Sequence, residues 1–177
     1  MGEPTQDLLA DGFDRLWTPH RMAYIKGENK PSSADAGEHC PFCQAPGAEG
    51  EDDLVVASGR NVYAVLNRYP YNAGHLLICP YEHVSDYVAL DPATLAEFTA
   101  FTKRGIEVLA RVSRPGGFNI GMNQGGVAGA GIAAHLHQHI VPRWGGDTNF
   151  MPVVAGTRVL PELLARTREL VAAAWDV

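Results

Sequence analysis

His135-Leu136-His137-Gln138-His139-Ile140-Val141-Pro142 is the stretch on which the reading of this chain turns. Three of the seven histidines fall there at two-residue spacing, in a short run closed by proline. A strand sends every second side chain to the same face, so a strand here lines up three imidazoles, successive ones roughly 6.5 Å apart. Leu136, Gln138 and Ile140 then face the other way. Three bases in register exceed what packing requires. Zinc held by all three is awkward, because its ligands meet within about 2.1 Å of the ion whereas positions along a flat strand diverge. One or two can share a metal. The middle one, His137, is left as the natural nucleophile toward an electrophile.

The residues before this run suggest the electrophile. Gly125, Gly126, Gly129 and Gly131 can turn several backbone amides toward an anion without side-chain obstruction, and phosphate fits such a nest. The chemistry that follows is attack by an imidazole nitrogen of His137 on phosphorus, with amides and a neighbouring imidazole holding the non-bridging oxygens.

Further outward the elements are legible. Residues 118–123 read as a strand. Asp91-Pro92 is an N-cap with proline at the first helical position, and Leu95, Phe98, Thr102, Ile106 and Leu109 recur at helical spacing, so a long helix is expected over 92–113, ended by Arg114-Pro115-Gly116-Gly117. His75-Leu76-Leu77-Ile78-Cys79-Pro80 is too short for a helix and reads as a buried strand. Residues 54–57 and 62–66 are β-rich and joined by Ser58-Gly59-Arg60-Asn61, a hairpin turn. A last helix is expected over 161–173. Strands paired sequentially, with one crossover helix, give α+β: a mainly antiparallel sheet, one long helix and a C-terminal helix, with the helices on one side.

Bulk properties bound the function. A chain of 177 residues suits one domain, and 46% apolar with 19% charged residues, without an apolar run near twenty, argues against a membrane span or anchor. Net charge −6 disfavours polymeric nucleic acid as a partner but not a small phosphate ligand. Met1-Gly2-Glu3-Pro4 reads without a basic and then apolar leader. With three cysteines, Cys40, Cys43 and Cys79, the expected setting is the reduced cytoplasm.

His39-Cys40-Pro41-Phe42-Cys43 offers two thiolates at a spacing that suits one tetrahedral metal, with His39 a less regular third candidate. A redox pair is the rival. Thioredoxin-like motifs open a helix after a strand, whereas this pair follows a polar loop, which favours zinc. Cys79 reads as an inert buried thiol.

His135-Leu136-His137-Gln138-His139-Ile140-Val141 resembles the His-x-His-x-His motif of the histidine triad (HIT) superfamily of nucleotide hydrolases and transferases, with polar Gln138 at one usually hydrophobic position. Leu66-Asn67 followed by Pro70-Tyr71-Asn72-Ala73-Gly74-His75-Leu76-Leu77-Ile78 is similar to the family's nucleotide-binding strand, and the resemblance spans about residues 40–150. It implies a two-step reaction at an α-phosphate of adenine nucleotides or dinucleoside polyphosphates, with His137 as the nucleotidyl-bearing nucleophile. His139 and His75 would attend the phosphate, Asn67 the ribose hydroxyls and Asn123 the phosphate side, with Gly131 and Trp144 also on the nucleotide. From the residues alone, a turn former is the lesser alternative for Asn67, while Trp144 reads equally as packing and Arg143 as a surface charge. Relatives with a similar Cys-x-x-Cys complete a structural zinc site from a Pro-x-x-His turn and the first triad histidine, which here implies Cys40, Cys43, His83 and His135. The resemblance further implies a homodimer. It divides the chain into an N-terminal arm (1–37), a HIT domain (38–153) and a C-terminal helical segment (154–177).

Leu16 to Tyr24 and Val141 to Pro152 resemble a bacterial subgroup that includes diadenosine tetraphosphate phosphorylases, in which inorganic phosphate replaces water as acceptor. Where a Gly-Ser pair would help bind phosphate, this chain has Ala130-Gly131, which removes a hydroxyl donor. A hydrolase or transferase therefore stands first, with a phosphorylase or a non-catalytic nucleotide-binding regulator as alternatives.

Overall fold

The computed structural model describes residues 40–147 and 163–175. The arm at 1–37, His39, the segment 148–152 and the first two residues, 161 and 162, expected of the last helix lie outside the described residues. Among the described residues three α-helices and five strands follow in the order α1 (Pro41–Gln44), β1 (Val55–Ser58), β2 (Val62–Leu66), β3 (Leu76–Pro80), α2 (Pro92–Ser113), β4 (Gly117–Met122), β5 (Gln138–Arg143) and α3 (Leu164–Ala173).

The strands form one antiparallel sheet in the order β1-β2-β3-β5-β4. Sequential pairing holds for β1 to β3 and for β4 with β5, but β5 inserts between β3 and β4. The cause is α2: a helix joining β3 to β4 makes a crossover and leaves those two strands parallel, with room between them for one antiparallel strand.

Local signals place α2 closely. The Asp91 carboxylate accepts from the N–H groups of Ala93 (2.8 Å) and Thr94 (3.2 Å), and Pro92 occupies the first turn where its missing N–H costs nothing. At the other end Arg114 takes a left-handed conformation, φ 46°, immediately before Pro115. The helix lies tightly on the sheet at Gly105, where an added Cβ would stand 2.9 Å from Leu76 and 3.2 Å from Ile140. α3 is fastened beside it: Arg104 donates to the Trp175 carbonyl, Arg111 to that of Ala174, and Arg168 reaches Asp53 at 2.6 Å and the Val55 carbonyl at 2.9 Å.

Register then decides which face carries the chemistry. Leu76 pairs with Ile140, and both point at Gly105 of α2, so their neighbours Leu77 and His139, also a pair, point to the opposite face. His75, one residue before Leu76, shares that face. Every residue of β2 and β3 is buried, which requires cover on both sides. On the face away from α2 the α1 turn contributes, since the fully buried Tyr63 donates its hydroxyl to the Phe42 carbonyl at 2.5 Å.

The histidine run departs from the expected strand. β5 begins only at Gln138, so of the three triad histidines only His139 belongs to the ladder. Before it, the Leu136 N–H donates to the Val84 carbonyl at 2.6 Å, and the carbonyl of Pro80, the last residue of β3, is taken by the His135 side chain at 2.9 Å. These bonds replace the ladder and carry His135 away from the row.

Candidate active site and metal centre

Hydrogen bonds settle which ring nitrogens carry protons. A backbone N–H can only donate, so Tyr71 N–H, 3.0 Å from His75 Nδ1, makes that nitrogen an acceptor and places the His75 proton on Nε2. His75 Nε2 therefore donates to His139 Nδ1 at 2.9 Å. His139, in turn, carries its proton on Nε2, the nitrogen left outside this pair. A carbonyl can only accept, so His137 Nδ1, 2.8 Å from the His135 carbonyl, is the protonated nitrogen of its ring. The lone pair of His137 then resides on Nε2.

Burial disfavours the charged forms of His137 and His139. It pushes His137 below the ordinary histidine range, an effect the His135 carbonyl partly offsets. His139 is lowered to about 4, first by burial and then by the neighbouring His137. At neutral pH a buried imidazole with an exposed lone-pair nitrogen is a competent nucleophile, and an N–H beside it can stabilise charge on a phosphoryl oxygen. The His137 and His139 ring centroids are 5.0 Å apart, closer than strand repeat alone would bring them.

The other expected nucleotide residues are placed unevenly. Asn67 serves its turn, accepting from the Tyr69 N–H at 2.9 Å, and also reaches His75 Nδ1 through its amide at 3.3 Å. Asn123 is half-buried after β4 and Gly131 is buried on the approach to His135; neither makes a hydrogen bond to a triad histidine among the described residues. Between them Gly125 and Gly129 both adopt φ 79°, a backbone state that favours glycine in this connection. The Trp144 indole N–H points to the Ser113 carbonyl at 3.4 Å, so its ring is tied to the end of α2. Arg143 is held by Asp147 through two nitrogens, at 2.6 and 2.9 Å, and by Asn119 at 2.7 Å.

Two side chains went without a role in the sequence reading. Tyr71 stacks on His139 with centroids 5.7 Å apart and lies 4.7 Å from His75. Phe42, inside the Cys-x-x-Cys, has its ring 4.7 Å from His137 and 5.6 Å from His135. Tyr71 follows Pro70 in a turn and Phe42 sits between two cysteines, so neither carries a local sign of what it packs against.

Beside the histidine pair lies the cluster of Cys40, Cys43, His83 and His135, whose ligand atoms all fall within 4.8 Å of one another. Cys40 Sγ is 3.4 Å from His135 Nδ1, and Cys43 Sγ is 3.5 Å from the same nitrogen and 3.2 Å from His83 Nδ1. Ligands around a tetrahedral zinc stand roughly 3.3 to 3.8 Å apart, so these four groups fit a single ion of that kind. The Pro80 carbonyl accepts the Nε2–H of His135 and turns its Nδ1 lone pair to the cluster, the outer support a metal-bound imidazole needs. His83 Nε2 is buried without a partner and lacks that support. Burial pushes the Cys40 thiol up, a cost that a cation holding the thiolate removes.

A two-layer α+β unit whose sheet face away from α2 carries a histidine pair, a third buried imidazole beside it and an adjoining cluster of four groups that could hold a metal matches one known class. The HIT domain family model covers residues 49–146, and the chain belongs to that family. It is 48% identical over 167 residues to the AP-4-A phosphorylase of Mycobacterium tuberculosis, covering 93% of this chain and 86% of that protein. Among solved structures, a zinc-bound histidine triad protein from Mycobacterium smegmatis is 26% identical with a TM-score of 0.62, covering 82% of this chain and 96% of its own. A histidine triad nucleotide-binding protein from Sulfolobus tokodaii is 27% identical with a TM-score of 0.63, covering 77% and 92%.

Proposed function

We propose that the protein splits dinucleoside polyphosphates of the diadenosine tetraphosphate kind by nucleotidyl transfer through His137. The observation that carries this reading is the bond from His137 Nδ1 to the His135 carbonyl, which leaves Nε2 as a neutral, buried nucleophile. Nε2 attacks an α-phosphorus; the phosphorus–nitrogen bond forms as the bond to the bridging oxygen breaks, and the remaining nucleoside polyphosphate leaves as an anion with that bond's electron pair, while Nδ1 keeps its proton on the His135 carbonyl. The Nε2–H of His139, backed by His75, faces the charge that develops on the phosphoryl oxygens. In the second step an acceptor oxygen attacks the same phosphorus, breaks the phosphorus–nitrogen bond and restores the imidazole.

We assign inorganic phosphate as the acceptor. The phosphorylase relative, similar along nearly the whole chain, supports it over water despite the Ala130-Gly131 departure. Counting phosphates, tetraphosphate substrate then yields a nucleoside triphosphate from the first step and a nucleoside diphosphate from the second. Incubation with diadenosine tetraphosphate, with and without phosphate, checks this by chromatography: adenosine diphosphate must appear only with phosphate. Adenosine monophosphate as the product in both cases would return the reading to hydrolysis.

In the same reading the metal cluster holds a structural zinc ion that fixes the α1 turn and His135, and takes no part in the transfer. The protein works in the cytoplasm as a homodimer, for which the exposed β4 offers an open sheet edge. Residues 38–153 are the HIT domain, flanked by an arm and a C-terminal helical segment. No helix among the described residues is long and apolar enough to cross a membrane.

A further inference from the structure

The metal cluster and the nucleophile are joined at two points. His135 contributes its side chain to the cluster and its carbonyl to His137 Nδ1. Phe42, carried between Cys40 and Cys43, puts its ring 4.7 Å from the His137 imidazole with 39° between planes. The turn that carries it is only four residues long and buries none of them. So short a helix does not hold itself together. What fixes it is the Cys40 carbonyl, which accepts from Cys43 and Gln44 at 3.0 and 3.1 Å, the Tyr63 hydroxyl on the Phe42 carbonyl, and the two cysteines' place in the cluster.

We propose that Phe42 is a positioning residue for the nucleophile: the metal-tied turn packs its ring against His137, keeping Nδ1 on the His135 carbonyl and Nε2 in a fixed direction of attack. One hydrogen bond alone leaves an imidazole free to tilt about it. The ring of Phe42 and the edge-on ring of His139, 5.0 Å away at 71°, limit that tilt. The metal cluster thereby sets reactivity through a side chain that is neither ligand nor substrate contact. This inference takes its nucleophile from the reading above.

The test compares wild type, Phe42→Ala and Phe42→Leu in the full chain by zinc content, by kcat and KM with diadenosine tetraphosphate and phosphate, and by nitrogen-15 NMR of the His137 ring without substrate. In Phe42→Ala zinc content is expected to stay at the wild-type value and kcat to fall at least about ten-fold, with KM within about three-fold of wild type. Leucine, which refills much of the volume, recovers part of kcat. The His137 ring signals move from one Nδ1–H tautomer toward an average of two. A rise in KM with unchanged kcat would overturn the proposal, since Phe42 would then be only a binding wall. Loss of zinc together with activity in both variants would also overturn it, by making the residue merely structural. So would unchanged His137 ring signals in Phe42→Ala. The NMR comparison needs no turnover, so it distinguishes failure of this proposal from failure of the nucleotidyl-transfer reading.

Discussion

Replacing His137 with alanine is expected to lower turnover of diadenosine tetraphosphate by about four orders of magnitude or more while the fold persists. The size follows from what is lost. Among the ring nitrogens of His75, His137 and His139, Nε2 of His137 is the one left without a proton and outside these hydrogen bonds. His75 spends Nδ1 on the Tyr71 N–H, and His139 spends Nδ1 on His75, so neither can take over the attack without breaking the pair. The structural cost is smaller. His137 is buried, but its ring packs against Phe42 and His139 at the edge of the core, and a truncation there costs about 1 to 3 kcal/mol. His137→Asn is the cleaner companion, because its amide can still donate to the His135 carbonyl while nothing occupies the place of Nε2. Steady-state kinetics and a thermal melt of both variants check the two halves of the expectation.

The second large effect is on stability. Cys40→Ala should release the metal and lower stability by at least about 3 kcal/mol, a fall in melting temperature of about 10 °C. Cys40 is fully buried and its sulfur faces His135, so alanine removes a ligand and leaves the buried His135 with one fewer partner. The same cluster joins segments far apart in the chain: the α1 turn, the loop after β3 and the approach to β5. Losing it frees all three at once. Elemental analysis and melts with and without a chelator measure this. Wild-type metal content with an unchanged melt would remove the cluster from the account of stability. A chelator that shifts wild type but not Cys40→Ala is the expected pattern.

Much of this architecture was readable from local chemistry. The bounds of α2 are legible because three independent signals agree: the Asp91 cap, Pro92 at the first turn, and Arg114 before Pro115. The strands around the hairpin are legible because β-rich runs and a turn coincide there. The run at 135–139 misled for a physical reason. Alternating spacing is a property of extended backbone, and extended backbone need not be in a ladder. Whether Leu136 bonds to a neighbouring strand or to Val84, and whether Pro80 gives its carbonyl to a strand or to an imidazole, is decided by packing that no local window contains. The place of β5 between β3 and β4 is hidden likewise.

The site divides along the same line. From the residues alone Cys40 and Cys43 suggest a metal by their spacing, but His83 and His135 join them only through the family resemblance, and the cluster brings all four together. The tautomers were beyond sequence reading altogether. They depend on a backbone amide at Tyr71 and a carbonyl at His135, groups every residue possesses, so their effect lies in placement and not in identity. Phe42 and Tyr71 were passed over because aromatic residues beside proline or cysteine look like ordinary packing until the rings they touch are known.

The central claim is a covalent bond between His137 Nε2 and an α-phosphorus. Rapid acid-free quenching of wild-type protein with diadenosine tetraphosphate in the absence of phosphate, followed by mass spectrometry of the intact chain and its peptides, tests it most directly. The account requires one added adenylyl group, localised to the peptide containing His137 and discharged as adenosine diphosphate when phosphate is supplied. Turnover at full rate with no adduct at any time point, or an adduct on another residue that discharges at the rate of turnover, would contradict it.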